Sequence, residues 1–112
     1  ASVRIEEDID DFSLGIGTLQ PLGIIVNELL TNIMKYAFGG EAGNSIRISL
    51  SRKDGRVTLV VADNGQGMPE SVSFEDSRGF GLTLVRALTQ QLRGKVSIER
   101  GKGTRIILEL QG

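Results

Sequence analysis

Apolar side chains recur at every second position in five short stretches of the chain, which is the spacing of a β-strand with one buried face. The alternation is weak over residues 3–9 and clear over 46–52, 56–62, 95–100 and 104–110. The first stretch also carries an acidic cluster, which favours a solvated strand at the edge of a sheet over a metal site. The pattern therefore predicts five strands, the first of them at an edge.

Two longer stretches place apolar residues three and four positions apart, which predicts helices. The first helix is expected to begin near Thr18 as its N-cap, to carry Pro21 in its first turn and to run to about Phe38. The second is expected to begin around 79–82 and to end at Gly94.

Turn residues indicate how these elements connect. An Asp-Gly pair at 54–55 and a Gly-Lys-Gly run at 101–103 each separate two strands, so each is expected to close a hairpin. The order strand, helix, hairpin, helix, hairpin predicts an α/β (α+β) fold, a two-layer α/β sandwich in which helices cover one face of a mixed sheet. With no internal repeat and no linker, residues 1–112 are expected to form a single domain.

A carboxylate ends the third strand on its apolar side. The two-residue period of that strand places Asp63 on the buried face, where a carboxylate is costly unless a hydrogen bond meets it. Asn-Gly follows and is a common tight-turn dipeptide, so the stretch 63–69 alone fits a polar β-turn as well as a shaped ligand-binding loop. In the last strand the same period places Thr104 on the apolar face.

Composition excludes several classes of site. The 112-residue chain has no cysteine and no histidine, which excludes disulfides, thiolate and imidazole metal sites, and Ser-His or Cys-His nucleophile systems within it. Its 13 basic and 14 acidic residues give a net charge of −1, which argues against a nucleic-acid partner. No apolar run approaches the roughly 20 residues of a membrane helix and no signal peptide precedes the domain, so we expect a cytoplasmic domain without membrane contact.

Four separated segments together suit a nucleotide. Asp63 could accept a hydrogen bond from an adenine amino group, and Gly79 and Gly81 open a helix whose free N–H groups favour phosphate. Asn32 and Lys35 lie on one ledge of the first helix and could supply an amide oxygen and an ammonium group to a metal–triphosphate. A Gly-Thr pair begins the last strand. Taken singly, Asn32 and Lys35 are more often structural, and no P-loop or dinucleotide fingerprint is present.

The same four segments resemble the motifs of the ATP-binding catalytic domain of sensor histidine kinases. Residues 27–38 resemble its N box, 63–69 its first glycine box, 79–82 its second and 101–104 its last. That domain has a Bergerat-type fold and lies within the GHKL superfamily, which includes gyrase, MutL-type repair proteins, heat-shock chaperones and anti-sigma-factor kinases. Four motifs in order, over about residues 15–110, form a specific signal.

The resemblance implies a set of site residues. Asp63 would bind the adenine amino group, Asn32 would coordinate the Mg²⁺ that bridges the phosphates, and residues 68–78 would form a short lid. The other residues implied in ATP binding are Lys35, Tyr36, Gly65, Gly67, Met68, Arg78, Gly79, Gly81, Leu82 and Thr104.

The resemblance also implies a function in two-component signal transduction. Such a domain binds Mg·ATP and donates the γ-phosphate to a histidine on a dimerisation domain, from which the phosphate passes to a response regulator. Because this chain has no histidine, it is expected to be part of a longer kinase, whose parent protein could be membrane-anchored, and to be inactive on histidine alone.

A stand-alone anti-sigma-factor-type serine kinase or switch protein of the same fold is the alternative. In that branch Glu28, one helical turn before Asn32, would act as general base. In a histidine kinase the acceptor imidazole is already nucleophilic, and Glu28 would only orient it. Both a catalytic and a structural role are therefore open for Glu28.

Overall fold

The computed structural model describes residues 4–10, 13–36, 45–65, 82–101 and 103–111. These ranges contain five strands and two helices, which are β1 (Arg4–Ile9), α1 (Ile16–Tyr36), β2 (Ser45–Lys53), β3 (Arg56–Asp63), α2 (Leu82–Gln91), β4 (Lys95–Gly101) and β5 (Gly103–Gln111). The predicted order of elements is confirmed. Neither helix of the described part is long and apolar enough to cross a membrane.

The strands form one five-stranded mixed sheet in the order β1-β2-β3-β5-β4. β1 comes first in this order, so it lies at an edge of the sheet as predicted. It pairs in parallel with β2, and the other neighbouring strands are antiparallel. α1 connects the two parallel strands, as a crossover connection requires. Between β2 and β3, Asp54 and Gly55 have φ values of 54° and 75°, the left-handed pair that a two-residue hairpin turn needs.

The hydrophobic core lies between one face of the sheet and the two helices. Every second residue of β3 is buried, beginning with Val57 and ending with Asp63. From α1, the buried side chains Ile25, Leu29 and Ile33 join the same core, and each contributes about 1.5–3 kcal/mol by leaving water. The alternate residues of β3 stay partly exposed, so the helices cover one face only, as the two-layer prediction requires.

The uncovered face of the sheet carries a symmetrical row of charge. Cross-strand pairing aligns one residue from each strand, in the order Glu6, Arg47, Ala62, Arg105 and Glu99. The row has a carboxylate at each end, an arginine next to each carboxylate, and an alanine at the centre. Arg105 Nη1 is 3.8 Å from Glu99 Oε1, and both side chains are exposed, so this ion pair adds little stability.

The start of α1 differs from the sequence prediction. The main-chain N–H groups of Thr18 and Leu19 donate to the carbonyl oxygen of Gly15 at 3.0 and 2.9 Å, so the helix already begins at Ile16. Thr18 therefore lies within the first turn and is not the N-cap, and Pro21 lies in the second turn. The predicted helix end at Phe38 lies outside the described residues.

The end of α2 also differs in its details. Arg93, not Gly94, adopts the left-handed conformation, with φ 57°. The N–H of Gly94 donates to the carbonyl oxygen of Thr89 at 2.9 Å, which is the long hydrogen bond of a Schellman motif. A Cβ atom at Gly94 would lie only 2.7 Å from the main-chain oxygen of Glu109, so the glycine is needed for close contact with β5.

Candidate functional site

Two polar side chains are buried next to each other at one end of the sheet. Asp63, the last residue of β3, is 7% exposed, and Thr104 of β5 is 2% exposed. Ala62 pairs with Arg105, so the antiparallel register continued by one residue places Thr104 opposite Asp63. A carboxylate, which only accepts hydrogen bonds, and a hydroxyl, which donates or accepts, therefore share the helix-covered face.

The carboxylate of Asp63 is held by the backbone that follows it. Its Oδ1 accepts a hydrogen bond from the N–H of Gly65 at 2.9 Å, which forms an Asx turn. Its Oδ2 is buried as well. Because the turn holds one oxygen, the orientation of the carboxylate is set before any ligand arrives.

Gly103 approaches Asp63 from β5 so closely that no side chain fits. A Cβ atom at Gly103 would overlap the main-chain oxygen of Asp63 and would lie 3.2 Å from its Oδ1. Gly103 also has φ +93°, in the left-handed region that favours glycine. The sequence motif at 101–104 contains Gly103 but predicts no role for it. The sequence feature that could have drawn attention to Gly103 is the Gly-Lys-Gly run between two predicted strands.

Asn64 closes the ladder between β3 and β2 with its side chain. Its main-chain N–H donates to the carbonyl oxygen of Ser45 at 3.2 Å, and its Oδ1 accepts from the N–H of Ser45 at 2.8 Å. This pair follows directly on the pairing of Ile46 with Asp63. Nothing in the sequence pattern singles out Asn64 beyond its place in an Asn-Gly turn.

A cavity of about 290 Å³ lies at the same end of the sheet, with Asp63 and Thr104 among its lining residues. Its other lining residues are Ala62, Glu99, Arg100, Gly101, Gly103 and Arg105. Ala62, Glu99 and Arg105 belong to the uncovered face of the sheet, so this cavity opens on that face and does not by itself mark a pocket on the helix-covered side. Asn32 is not among the lining residues.

Asn32 lies buried on α1 with an unmet hydrogen-bonding group. It is 4% exposed, and its Nδ2 makes no hydrogen bond within the part of the chain that the structure describes. Leaving a buried polar group unsatisfied costs about 1–3 kcal/mol, so a ligand that meets this amide would relieve a cost. Glu28, one turn earlier, is half-buried.

The donor set around Asn32 fits Mg²⁺ only together with phosphate. The described residues contain no group of three or more acidic side chains that could hold a metal ion. Mg²⁺, however, commonly takes one or two protein oxygens and completes its shell with water and substrate phosphates. One amide oxygen from Asn32 is compatible with that second arrangement.

The other predicted site residues are placed in part or not at all. Lys35 and Tyr36 end α1 and Leu82 begins α2, each placed by its main chain. Gly67, Met68, Arg78, Gly79, Gly81 and the lid 68–78 lie outside the described residues.

Comparison with known proteins gives consistent matches. Residues 17–112 match the family described as histidine kinase-, DNA gyrase B-, and HSP90-like ATPase. The chain is 27% identical over 110 residues to Blue-light-activated histidine kinase 2 of Erythrobacter litoralis (strain HTCC2594), covering 97% of this chain and 32% of that protein. It is 32% identical over 91 residues to sensor histidine kinase PdtaS of Mycobacterium tuberculosis, covering 78% of this chain and 18% of that protein. The chain thus spans a third or less of the length of these relatives.

Solved structures show the same fold. The histidine kinase domain of a blue-light activated histidine kinase from Erythrobacter litoralis superposes with a TM-score of 0.89 at 26% identity, covering 97% of this chain and 51% of that one. The Acinetobacter baumannii histidine kinase AdeS superposes with a TM-score of 0.78 at 19% identity, covering 97% of this chain and 54% of that one, which supports the fold alone.

Proposed function

The chain belongs to the family of histidine kinase-, DNA gyrase B- and HSP90-like ATPases, and on that premise we propose that it binds Mg·ATP and donates the γ-phosphate to a histidine on a separate dimerisation domain. The observation that carries the nucleotide-binding part is the buried Asp63–Thr104 pair at the end of β3 and the start of β5. The acceptor belongs to another domain, because this chain has no histidine. The names of the relatives favour two-component signalling over the serine-kinase alternative.

The proposed role of Asp63 and Thr104 is to recognise adenine. Adenine presents an amino donor where guanine presents the O6 acceptor. The Asp63 carboxylate accepts from the adenine amino group, whereas it would face the guanine oxygen without any proton between them. Thr104 completes the pocket through its hydroxyl, directly or through a water molecule. Gly65 and Gly67 leave room for the base, and Tyr36 and Met68 line it.

The proposed phosphate end of the site is built from both helices. Asn32 supplies an amide oxygen to Mg²⁺, which, when bound, offsets negative charge on the phosphates. Lys35 and Arg78 are proposed as contacts for the phosphate oxygens. Leu82 begins α2, whose first N–H groups and helix dipole favour an anion, and Gly79 and Gly81 are proposed as phosphate-binding residues just before it in the sequence.

In this arrangement the chain's own contribution to phosphoryl transfer is positioning. The buried pair orients the base and α2 orients the phosphates, so the γ-phosphate is presented to an acceptor that approaches from outside. In the histidine-kinase proposal Glu28, one turn from Asn32, would only orient that acceptor. A general-base role for Glu28 belongs to the serine-kinase alternative.

Calorimetric titration with Mg·ATP and Mg·GTP tests the adenine assignment. Asp63→Asn keeps an oxygen that can accept from Gly65 but replaces the other acceptor with an amide donor. We expect the unchanged chain to prefer ATP, and Asp63→Asn to lose at least about tenfold in ATP affinity, equivalent to 1.4 kcal/mol. Asp54→Asn, the same chemical change in the hairpin turn at the opposite end of the sheet, serves as control and should bind normally.

Transfer to histidine is tested separately, by adding a histidine-bearing dimerisation domain and labelled ATP. Label should appear on that domain and depend on this chain. If the unchanged chain ignores ATP at millimolar concentration, the site assignment is wrong. If it binds ATP but no labelled histidine forms, the kinase proposal is wrong while nucleotide binding stands.

A further inference from the structure

We propose that Asn64 is a positioning residue for base recognition, which braces the end of β3 against the start of β2 and so holds the Asp63 carboxylate in its binding position. This inference rests on the proposed adenine-binding role of Asp63. The Asn64 side chain hydrogen-bonds to the protein backbone, and it affects nucleotide affinity only by holding Asp63.

Asn64 and Ser45 are joined by two hydrogen bonds, one of which uses the Asn64 side chain where a regular strand pair would use the main-chain carbonyl. In an antiparallel ladder, two hydrogen-bonded residues exchange a pair of main-chain N–H···O bonds. Between Asn64 and Ser45, the N–H of Asn64 supplies one bond at 3.2 Å, and the side-chain Oδ1 accepts the other at 2.8 Å. Because the side chain supplies the acceptor, the main-chain carbonyl of Asn64 is not needed there, and the chain can turn away immediately after Asp63.

This brace acts on the residue that most needs a fixed backbone. Asp63 is the last residue of β3, and strand ends fray unless something closes the ladder beyond them. On the β2 side, Asn64 extends the pairing one residue past Ile46 and Asp63. On the β5 side, a Cβ atom at Gly103 would overlap the main-chain oxygen of Asp63, so the two backbones lie too close together for a side chain to fit between them. The Asx turn to Gly65 then orients a carboxylate whose backbone is held on both sides.

The brace joins the end of β3 to the start of β2. Ser45 begins β2, and its two hydrogen bonds with Asn64 hold the base-reading end of β3 against that strand. An asparagine suits the position because its carbonyl oxygen reaches a backbone N–H at short range without adding charge near the nucleotide.

Three substitutions isolate the Oδ1 acceptor. Asn64→Ala removes it, Asn64→Gln keeps the amide but moves it by one methylene, and Asn64→Asp keeps an acceptor at the same position. Ser45→Ala keeps the N–H that donates to Asn64 and removes only the hydroxyl. Val57→Ala, at the opposite end of β3, lowers stability without touching the brace.

The measurement is calorimetric affinity for Mg·ATP and Mg·GTP in each variant, expressed as the ATP-to-GTP ratio. Loss of one hydrogen bond should lower ATP affinity about three- to tenfold in Asn64→Ala and Asn64→Gln, with little change for GTP, so that the ratio falls. Asn64→Asp should restore the ratio, since its added charge acts equally on both triphosphates. Ser45→Ala and Val57→Ala should keep the original ratio.

Each result decides between separate conclusions. If the unchanged chain prefers ATP and neither Asn64→Ala nor Asn64→Gln lowers the ratio, the inference is wrong and the proposed function stands. If Val57→Ala lowers the ratio as much as Asn64→Gln, the effect is one of general stability, and the inference is again wrong. Should the unchanged chain bind neither nucleotide, the proposed function fails and the role of Asn64 fails with it. Asn64→Gln decides the question if Asn64→Ala does not fold.

Discussion

Replacing Gly103 with alanine should damage both stability and nucleotide binding, for two reasons that the structure separates. The residue has φ +93°, and forcing an L-residue into a left-handed conformation costs about 1–2 kcal/mol. The new Cβ would also overlap the main-chain oxygen of Asp63, and overpacking of this kind costs about 1–3 kcal/mol. Together these costs give about 2–5 kcal/mol, a large part of the 5–15 kcal/mol that stabilises a typical domain.

The damage should also reach ligand binding, because relief of the overlap requires the backbone of Gly103 and that of Asp63 to move apart. A displaced carboxylate meets the adenine amino group with poor geometry, and we expect ATP affinity to fall by about tenfold or more, equivalent to 1.4 kcal/mol. Urea unfolding would measure the loss of stability. Calorimetric titration with Mg·ATP, at a temperature where the variant is folded, would measure the loss of affinity.

Two other glycines supply matched controls for Gly103→Ala. A Cβ at Gly101, in the same hairpin, would meet none of the described residues within 4 Å, so Gly101→Ala should keep the original stability. A Cβ at Gly94 would lie 2.7 Å from the main-chain oxygen of Glu109 at the other end of β5, so Gly94→Ala should lose stability but keep its ATP affinity when folded. Normal affinity in Gly103→Ala, or an equal loss of affinity in Gly94→Ala, would refute the reasoning.

Two further outcomes can be checked with the same assays. Gly23 is exposed within α1, and a Cβ there would meet none of the described residues within 4 Å. Gly23→Ala should therefore raise the unfolding temperature by about 3–4 °C and leave ATP affinity unchanged, and a lower unfolding temperature would contradict this. Removing Mg²⁺ with EDTA should weaken ATP binding about tenfold in the unchanged chain. The same loss is expected in Asn27→Ala, a control at an exposed position of the same helix, whereas the ATP affinity of Asn32→Ala should be the same with and without EDTA. Equal sensitivity to EDTA in all three proteins would rule out Asn32 as the metal ligand.

The buried positions of Asp63 and Thr104 could be predicted from sequence because both follow from the two-residue period of a single strand. Each side chain points to the same face as the apolar residues two and four positions before or after it, whatever the rest of the fold does. The hairpin at Asp54 could also be predicted from sequence, because the left-handed conformation of a two-residue turn depends only on the residues in the turn.

The features that sequence did not reveal depend on contacts between distant residues. The left-handed residue after α2 is Arg93, because Gly94 is needed where the carbonyl of Glu109 approaches it, and that carbonyl belongs to a strand 15 residues later. The close contact between Gly103 and Asp63 arises only when β5 pairs with β3. The bond from Ser45 to Asn64 joins residues 19 positions apart. Local propensity carries no information about these distances.

The charge row across the uncovered sheet face bears on self-association. Its order is acid, arginine, alanine, arginine, acid, which is the same from either end. If two copies were stacked face to face about a two-fold axis centred on Ala62, either along the row or across it, each arginine would face an arginine and each carboxylate a carboxylate. Sheets stack about 10 Å apart, and like charges at such an interface repel. The symmetry of the row thus disfavours these two centred arrangements of the open sheet face against its own copy.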